Sequence, residues 1–341
     1  MNESLIRVVV VEDSLVQRAH LVAVLEADGD IGVVGQATTA LEALDLIDTT
    51  RPDVVTLDLQ LPDRPGAQVI EAVMSRMPTP ILVLSSTVDG PHSTPAIEAL
   101  IGGALEALPK PLKWTASSEA ELRRTVRMLS KVTVIRHRVR ASPDRITPRP
   151  RATCAPVVGL AASTGGPAAL ATLLGGMGDV RAPVLVVQHL HADFVAGLVE
   201  WMARVSALPV ELAQAGQVLR PGHVYIGPGG THLRIDSDSH VDLSRSPESL
   251  HCPSADELFL SMAENAGAAA VGVVLTGMGS DGTRGLLALR RSGGRTFSQD
   301  EASCAVYGMP HAAVDAGAVC EVFSLDAIAG AVTKAVDELW S

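Results

Sequence analysis

Short β-branched apolar runs alternate, over the first 128 residues, with longer stretches in which apolar side chains return every three or four positions. The runs Val8–Val11, Ile31–Gly35, Val54–Leu57, Ile81–Leu84 and Leu105–Leu108 predict buried strands. Between them, Leu15–Ala27 behind a Ser14 cap, Ala40–Ile47, Ala67–Met74 and Ala96–Ile101 predict helices, and a fifth opens on the capping box Ser118-x-x-Glu121. Five strands alternating with five helices imply a doubly wound, flavodoxin-like parallel sheet covered on both faces. Ligands of such sheets gather beyond the carboxyl ends of the strands.

The pattern breaks at residues 129–155. Residues 131–152 carry seven Lys or Arg against one acid, Asp144, together with Pro143, Pro148 and Pro150. That composition predicts a solvated, semi-extended linker, although a basic run also suits an acidic partner. A second alternation fills 156–341. Val157–Leu160, Val184–Val187, Val210–Ala213, Ala269–Leu275 and Ala318–Phe323 predict strands. Helices are predicted at about 167–175, 194–204, 255–265 (capping box Ser254-x-x-Glu257), 284–291 and 326–339. The glycine-rich segment His223–Ile235 predicts a hairpin, so the expected second domain is α/β with a mostly parallel sheet and one hairpin.

Composition narrows the class. A chain of 341 residues with 47% hydrophobic residues suits two domains with proper cores. No run of eighteen apolar residues exists, which excludes an ordinary membrane-spanning helix. The start Met1-Asn2-Glu3-Ser4 runs into Leu5-Ile6-Arg7 without a cleavage-site pattern, and Cys154, Cys252, Cys304 and Cys320 show no paired metal spacing. Reduced thiols in a cytoplasmic protein are the expectation. A net charge of −11 argues against nucleic-acid partners. A monomer is the default.

Chemistry concentrates at the strand ends. In the first domain Glu12-Asp13 close the first strand, Asp58 closes the third, Ser85 or Ser86 ends the fourth and Lys110 follows the fifth. Converging carboxylates call for a hard divalent cation with oxygen ligands, and a hydroxyl and an ammonium beside them suit phosphoryl transfer onto a carboxylate. With Leu61-Pro62 after Asp58, and Lys110-Pro111, residues 5–128 resemble a response-regulator receiver domain. The resemblance implies Asp58 as phospho-acceptor and Mg²⁺ held by Asp13, Asp58 and the Gln60 backbone carbonyl. It also implies Ser85 as the hydroxyl sensing the phosphoryl group, Lys110 as its cationic partner, and a histidine kinase as phosphodonor. Pro65, Ala107 and Pro109 depart from the family's usual residues.

In the second domain the strand Val157–Leu160 runs into Ala162-Ser163-Thr164-Gly165-Gly166-Pro167, with Pro167 expected at a first helical position. A serine hydroxyl is thereby placed beside the free N–H groups of a helix start. His189 ends the next strand, and Asp281 lies in the loop Thr276-Gly-Met-Gly-Ser-Asp-Gly282 after another buried strand. Ser163 as nucleophile, His189 as base and Asp281 as orienting acid make a serine-hydrolase triad. The Met278 N–H is the better oxyanion donor and the Thr164 N–H the second. A metal on the His189-x-His191 pair lacks a third ligand at suitable spacing. The order Ser, His, Asp matches none of the common triad folds.

Those stretches, with Gln188-His189, Leu219–Ile226, Pro253-Ser254, Gln299–Ser303 and Tyr307–Pro310, resemble the catalytic domain of chemotaxis-type protein-glutamate methylesterases over 156–338. The resemblance implies Ser163, His189 and Asp281 as the triad and no cofactor at the esterase site. It implies methyl-accepting chemoreceptors as protein substrate and hydrolysis of γ-glutamyl methyl esters, with glutamine deamidation as a second activity. A receiver that blocks the cleft until Asp58 is phosphorylated is the expected control. Departures fall at Ala161, at His191–Asp193, at Cys252 and at His311. They motivate the rival reading, a phosphorylation-switched docking protein with weak or lost hydrolase activity. A chemosensory-like pathway with an output other than swimming is equally compatible with the sequence.

Overall fold

The computed structural model describes residues 5–86, 94–111, 113–132 and 155–340. The chain divides into two compact units, Met1–Ile135 and Arg136–Ser341. The expected linker lies outside the described residues from 133 to 154, and Cys154 with it.

The first unit alternates β1 (Ile6–Val11), α1 (Leu15–Glu26), β2 (Ile31–Ala37), α2 (Ala40–Thr50), β3 (Val54–Asp58), α3 (Gly66–Arg76), β4 (Ile81–Ser86), α4 (Thr94–Ile101), β5 (Glu106–Lys110) and α5 (Ala116–Leu129). The sheet order is β2-β1-β3-β4-β5, and every pairing is parallel. Val8–Val11 and Val54–Leu57 are buried, as strands covered on both faces must be. The order reverses between β1 and β3, so Glu12 and Asp58 meet at the switch point. Ser14 caps α1 as expected, accepting from the Gln17 N–H. The capping box of α5 lies earlier than the sequence predicts. Thr115 takes the extended N-cap conformation, accepts from Ser118 N–H, and receives the Ser118 side chain on its own N–H. The helix therefore starts at Ala116 rather than after Ser118.

The second unit comprises β6 (Val157–Ala162), α6 (Gly166–Gly175), β7 (Val184–Gln188), α7 (Ala192–Val205), β8 (Val210–Leu212), β9 (Val224–Ile226), β10 (His232–Ile235), β11 (Val241–Ser244), α8 (Ala255–Asn265), β12 (Ala270–Val274), α9 (Thr283–Arg291), β13 (Arg295–Gln299), α10 (Met309–Asp315), β14 (Glu321–Phe323) and α11 (Leu325–Trp340). Seven strands form one sheet in the order β14-β13-β12-β6-β7-β9-β8, parallel at every pairing. The reversal falls between β6 and β12, which sets Ser163 and the loop after β12 side by side at the sheet's carboxyl edge.

The glycine-rich segment 223–235 is not a hairpin. Its first half, β9, joins the parallel sheet beside β7, and its second half, β10, pairs antiparallel with β11 in a separate ribbon. The turn of that ribbon is Asp236–Ser239, where the Asp236 carboxylate accepts from Asp238 and His240 N–H groups. Strand β13 has no apolar run to announce it. Its buried side chains are Phe297 and the polar Thr296, Ser298 and Gln299; Thr296 reaches the Cys320 sulfur and Gln299 accepts from Thr276 N–H.

Candidate active site and acidic pocket

Ser163 follows β6 directly, and its backbone N–H donates to the Thr276 carbonyl at 3.0 Å. The chain then turns through Gly165, whose φ of 75° is left-handed, into α6 with Pro167 in its first turn. Pro167 is the second helical residue, because Gly166 already takes the first position. Since Ala162 pairs with Gln188, the residues that follow, Ser163 and His189, stand on adjacent strand ends. The His189 N–H donates to the Ala162 carbonyl at 3.0 Å, and the buried Gln188 amide donates to the carbonyls of Ser163 and His189 at 2.8 and 2.9 Å.

His189 Nε2 lies 2.8 Å from Asp281 Oδ2. Asp281 also accepts from the Ser254 hydroxyl at 2.8 Å and from the N–H groups of Ala255, Asp256 and Gly282 at 2.7, 3.1 and 3.0 Å. Ala255 and Asp256 open α8, so the carboxylate occupies that helix's positive end. Burial works against the Asp281 charge. The hydrogen bond and charge of His189, with the Ser254 and Ala255 donors, outweigh it and hold the carboxyl far below the usual carboxylate range. An ionised carboxylate only accepts, so Nε2 carries the ring proton and Nδ1 keeps the lone pair. That Nδ1 is buried and has no hydrogen-bond partner among the described residues.

The loop after β12 reaches the serine through Gly277. A Cβ there would meet the Ser163 Cβ at 2.7 Å and the Met309 sulfur at 2.5 Å, so only glycine admits this approach. Thr276 fastens the loop. Its hydroxyl donates toward the Thr164 carbonyl and accepts from Val306 N–H, and its N–H meets the Gln299 amide at 2.8 Å. The N–H groups of Met278 and Thr164 have no acceptor among the described residues. Donors held for an oxyanion are left in that state.

Several functional positions carried no legible signal. Ser254 sits at the N-cap of α8, but its hydroxyl serves Asp281 and makes no cap bond, which displaces the expected capping box. His251 stacks on His189 with ring centroids 4.1 Å apart and planes 7° off parallel. Gln188, Thr276 and Gln299 are buried polar residues at strand ends, and that placement was their one available clue. Among the departures, Ala161 is buried inside β6, paired with Val187 and Val274. His191 caps α7, accepting from the Asp193 N–H. His311 is exposed on α10 near Asp315. His232 is fully buried, its nitrogens engaged by Ser254 N–H and the Pro247 carbonyl, and His223 lies 3.5 Å from Glu211.

In the first unit Lys110 Nζ lies 2.6 Å from Glu12 Oε2 and 2.5 Å from Asp58 Oδ2, all three residues being buried. The other Asp58 oxygen accepts from the Gln60 N–H at 3.0 Å. Burial pushes the Glu12 carboxyl up, and Lys110 only partly restores it. Carboxylate oxygens of Glu12, Asp13 and Asp58 lie within 4.8 Å of one another, with Asp13 exposed. This hard-oxygen set, open to solvent on one side, fits a divalent cation of the magnesium type. Ser85 is half-buried in β4, opposite Pro109 and one residue beyond the partner of Asp58.

Residues 8–120 match the response regulator receiver domain family, and residues 158–332 match the CheB methylesterase family. A protein-glutamate methylesterase/protein-glutamine glutaminase of Anaeromyxobacter dehalogenans is 42% identical over 95% of this chain and 97% of its own length. One from Myxococcus xanthus is 39% identical over 98% of both. The Thermotoga maritima CheB methylesterase catalytic domain superposes with a TM-score of 0.52 at 30% identity, covering 53% of this chain and 99% of that one. Receiver and catalytic unit thus stand in one chain, in the order and over the length of those relatives, and the chain belongs to the family of CheB-type response-regulator methylesterases.

Proposed function

We propose that this chain is a phosphorylation-activated serine esterase that hydrolyses γ-glutamyl methyl esters on methyl-accepting chemoreceptors, releasing methanol, and that deamidates receptor glutamines by the same route. The observation that carries this reading is the orphaned Nδ1 of His189. It is a buried lone pair on a ring whose opposite nitrogen is fixed by an anionic Asp281, at the strand end beside Ser163.

The Ser163 oxygen attacks the ester carbonyl while Nδ1 of His189 takes its proton, and Asp281 stabilises the resulting imidazolium. The two ring nitrogens thereby exchange the roles they have in the usual template, where the nitrogen bound to the acid is Nδ1. The N–H groups of Met278 and Thr164 receive the oxyanion. Collapse of the tetrahedral intermediate expels methanol, protonated by His189. Water, deprotonated by the same nitrogen, then frees the glutamate and restores Ser163.

Asp58 receives the phosphoryl group from a histidine kinase in the cytoplasm, where no membrane-spanning helix is needed to place it. Asp13, Asp58 and the Gln60 carbonyl would hold magnesium there. The metal, when bound, offsets negative charge on the phosphoryl oxygens. Lys110 shares that task, and Ser85 senses the phosphoryl group. Residues 1–128 form the receiver and 156–341 the esterase.

Methanol release from methylated receptor membranes tests the reading. The native protein is expected to release it and Ser163→Ala to release none above background; equal release by the two would remove the serine from the mechanism.

A further inference from the structure

The stacked pair of imidazoles at the active site assigns a task to a residue outside the triad. Backbone anchors stand on both sides of His251, two after it and, at Pro247, one before it. The Cys252 carbonyl accepts from the Gly230 N–H at 3.0 Å, and the Ser254 N–H donates to Nδ1 of His232 at 3.1 Å. His232 is itself fully buried and tied to the Pro247 carbonyl at 2.8 Å, so both ends of this short segment are anchored. Leu250, just before it, is 83% exposed, so the segment runs at the surface while the half-buried His251 ring lies over His189.

The Cβ–Cγ bond and one hydrogen bond to Asp281 hold the ring of His189 at two points, and the tilt of its plane is set by what packs against its faces. A second ring, parallel within 7° and 4.1 Å away, fixes the plane. We infer that His251 is a positioning residue, which holds the imidazole of His189 in the plane that aims Nδ1 at Ser163. Covering one face of the base further keeps water from competing for Nδ1. The inference rests on the triad reading above.

The test uses the full chain, treated with a small phosphodonor and Mg²⁺, and measures methanol release from methylated receptor membranes for His251→Ala, His251→Leu and His251→Phe. A misaimed base costs ~10-fold to ~100-fold in rate. His251→Ala is expected to lose that much in kcat with KM unchanged, and His251→Phe to return to within ~3-fold of the native rate because an aromatic face is restored. His251→Leu, which fills the space without a π face, is expected to fall between them. Unfolding midpoints within a few degrees of the native protein confirm that folded variants are compared, and the Phe–Leu contrast stands even where the Ala variant fails to fold. Unchanged kcat in all three, a raised KM at constant kcat, or equal rates for Phe and Leu would each overturn the inference. Ser163→Ala is the control. Activity in that variant overturns the triad reading itself, whereas a dead Ser163→Ala beside a fully active His251→Ala overturns only the role of His251.

Discussion

Asp281 shows how one side chain is given a single chemical state. Five donors converge on it, and two come from the start of α8. An amide in its place can accept at one atom only, so Asp281→Asn leaves donors unmatched and lets the His189 tautomer reverse. Loss of the correct tautomer costs ~10⁴-fold in kcat in a comparable triad, and a fall of that order in methanol release is expected, with KM nearly constant. The same carboxylate links stability to pH. Its folded pKa is depressed, so its contribution is complete above the ordinary carboxylate pKa near ~3.9 and is lost as the pH falls below it. The gap in unfolding midpoint between native protein and Asp281→Asn is therefore expected to be widest near neutrality and to shrink as the pH drops from about 5 toward 3. A gap that widens with acid would contradict the assignment.

At the scale of elements, the strand ends and loops build the site, and the loop after β12 illustrates why glycines recur there. Gly277 lets the backbone pass the Ser163 Cβ at a distance no other residue tolerates. Gly277→Ala is expected to cost ~1–3 kcal/mol of stability in denaturant unfolding through overpacking, and to lower esterase activity by moving the Met278 N–H away from Ser163. The parallel sheets and the strand-end positions of Glu12, Asp58, Ser163 and His189 were legible in the sequence because apolar runs end abruptly there. Strand β13 was not, since its buried Thr296 and Gln299 are satisfied by hydrogen bonds to neighbouring segments rather than by hydrophobicity. The segment 223–235 misled for the opposite reason: a glycine-rich turn between apolar runs suits a hairpin, and only the pairing of β9 with β7 decides otherwise. Ser254 looked like a cap and donates its hydroxyl to Asp281, and nothing local pointed to His251 on His189.

At the scale of the whole molecule, the first unit carries a buried charge balance that a phosphoryl group on Asp58, as proposed, would disturb. Lys110 is shared by Glu12 and Asp58 in a buried cluster, so removing the ammonium strands two carboxylates out of water. Breaking a buried pair in this way typically costs ~3–5 kcal/mol. Lys110→Met is expected to lower the receiver's unfolding free energy by about that much and to abolish the response to a phosphodonor, while leaving the basal esterase rate intact. The most direct measurement of the central claim is methanol release from methylated receptor membranes, with and without a small phosphodonor and Mg²⁺. Native protein is expected to accelerate on treatment, Asp58→Ala to stay at the untreated rate, and Ser163→Ala to release nothing under either condition. Acceleration of Asp58→Ala to the native level would contradict phosphorylation control at Asp58, and adaptation restored in cells by Ser163→Ala would favour a docking protein over an esterase.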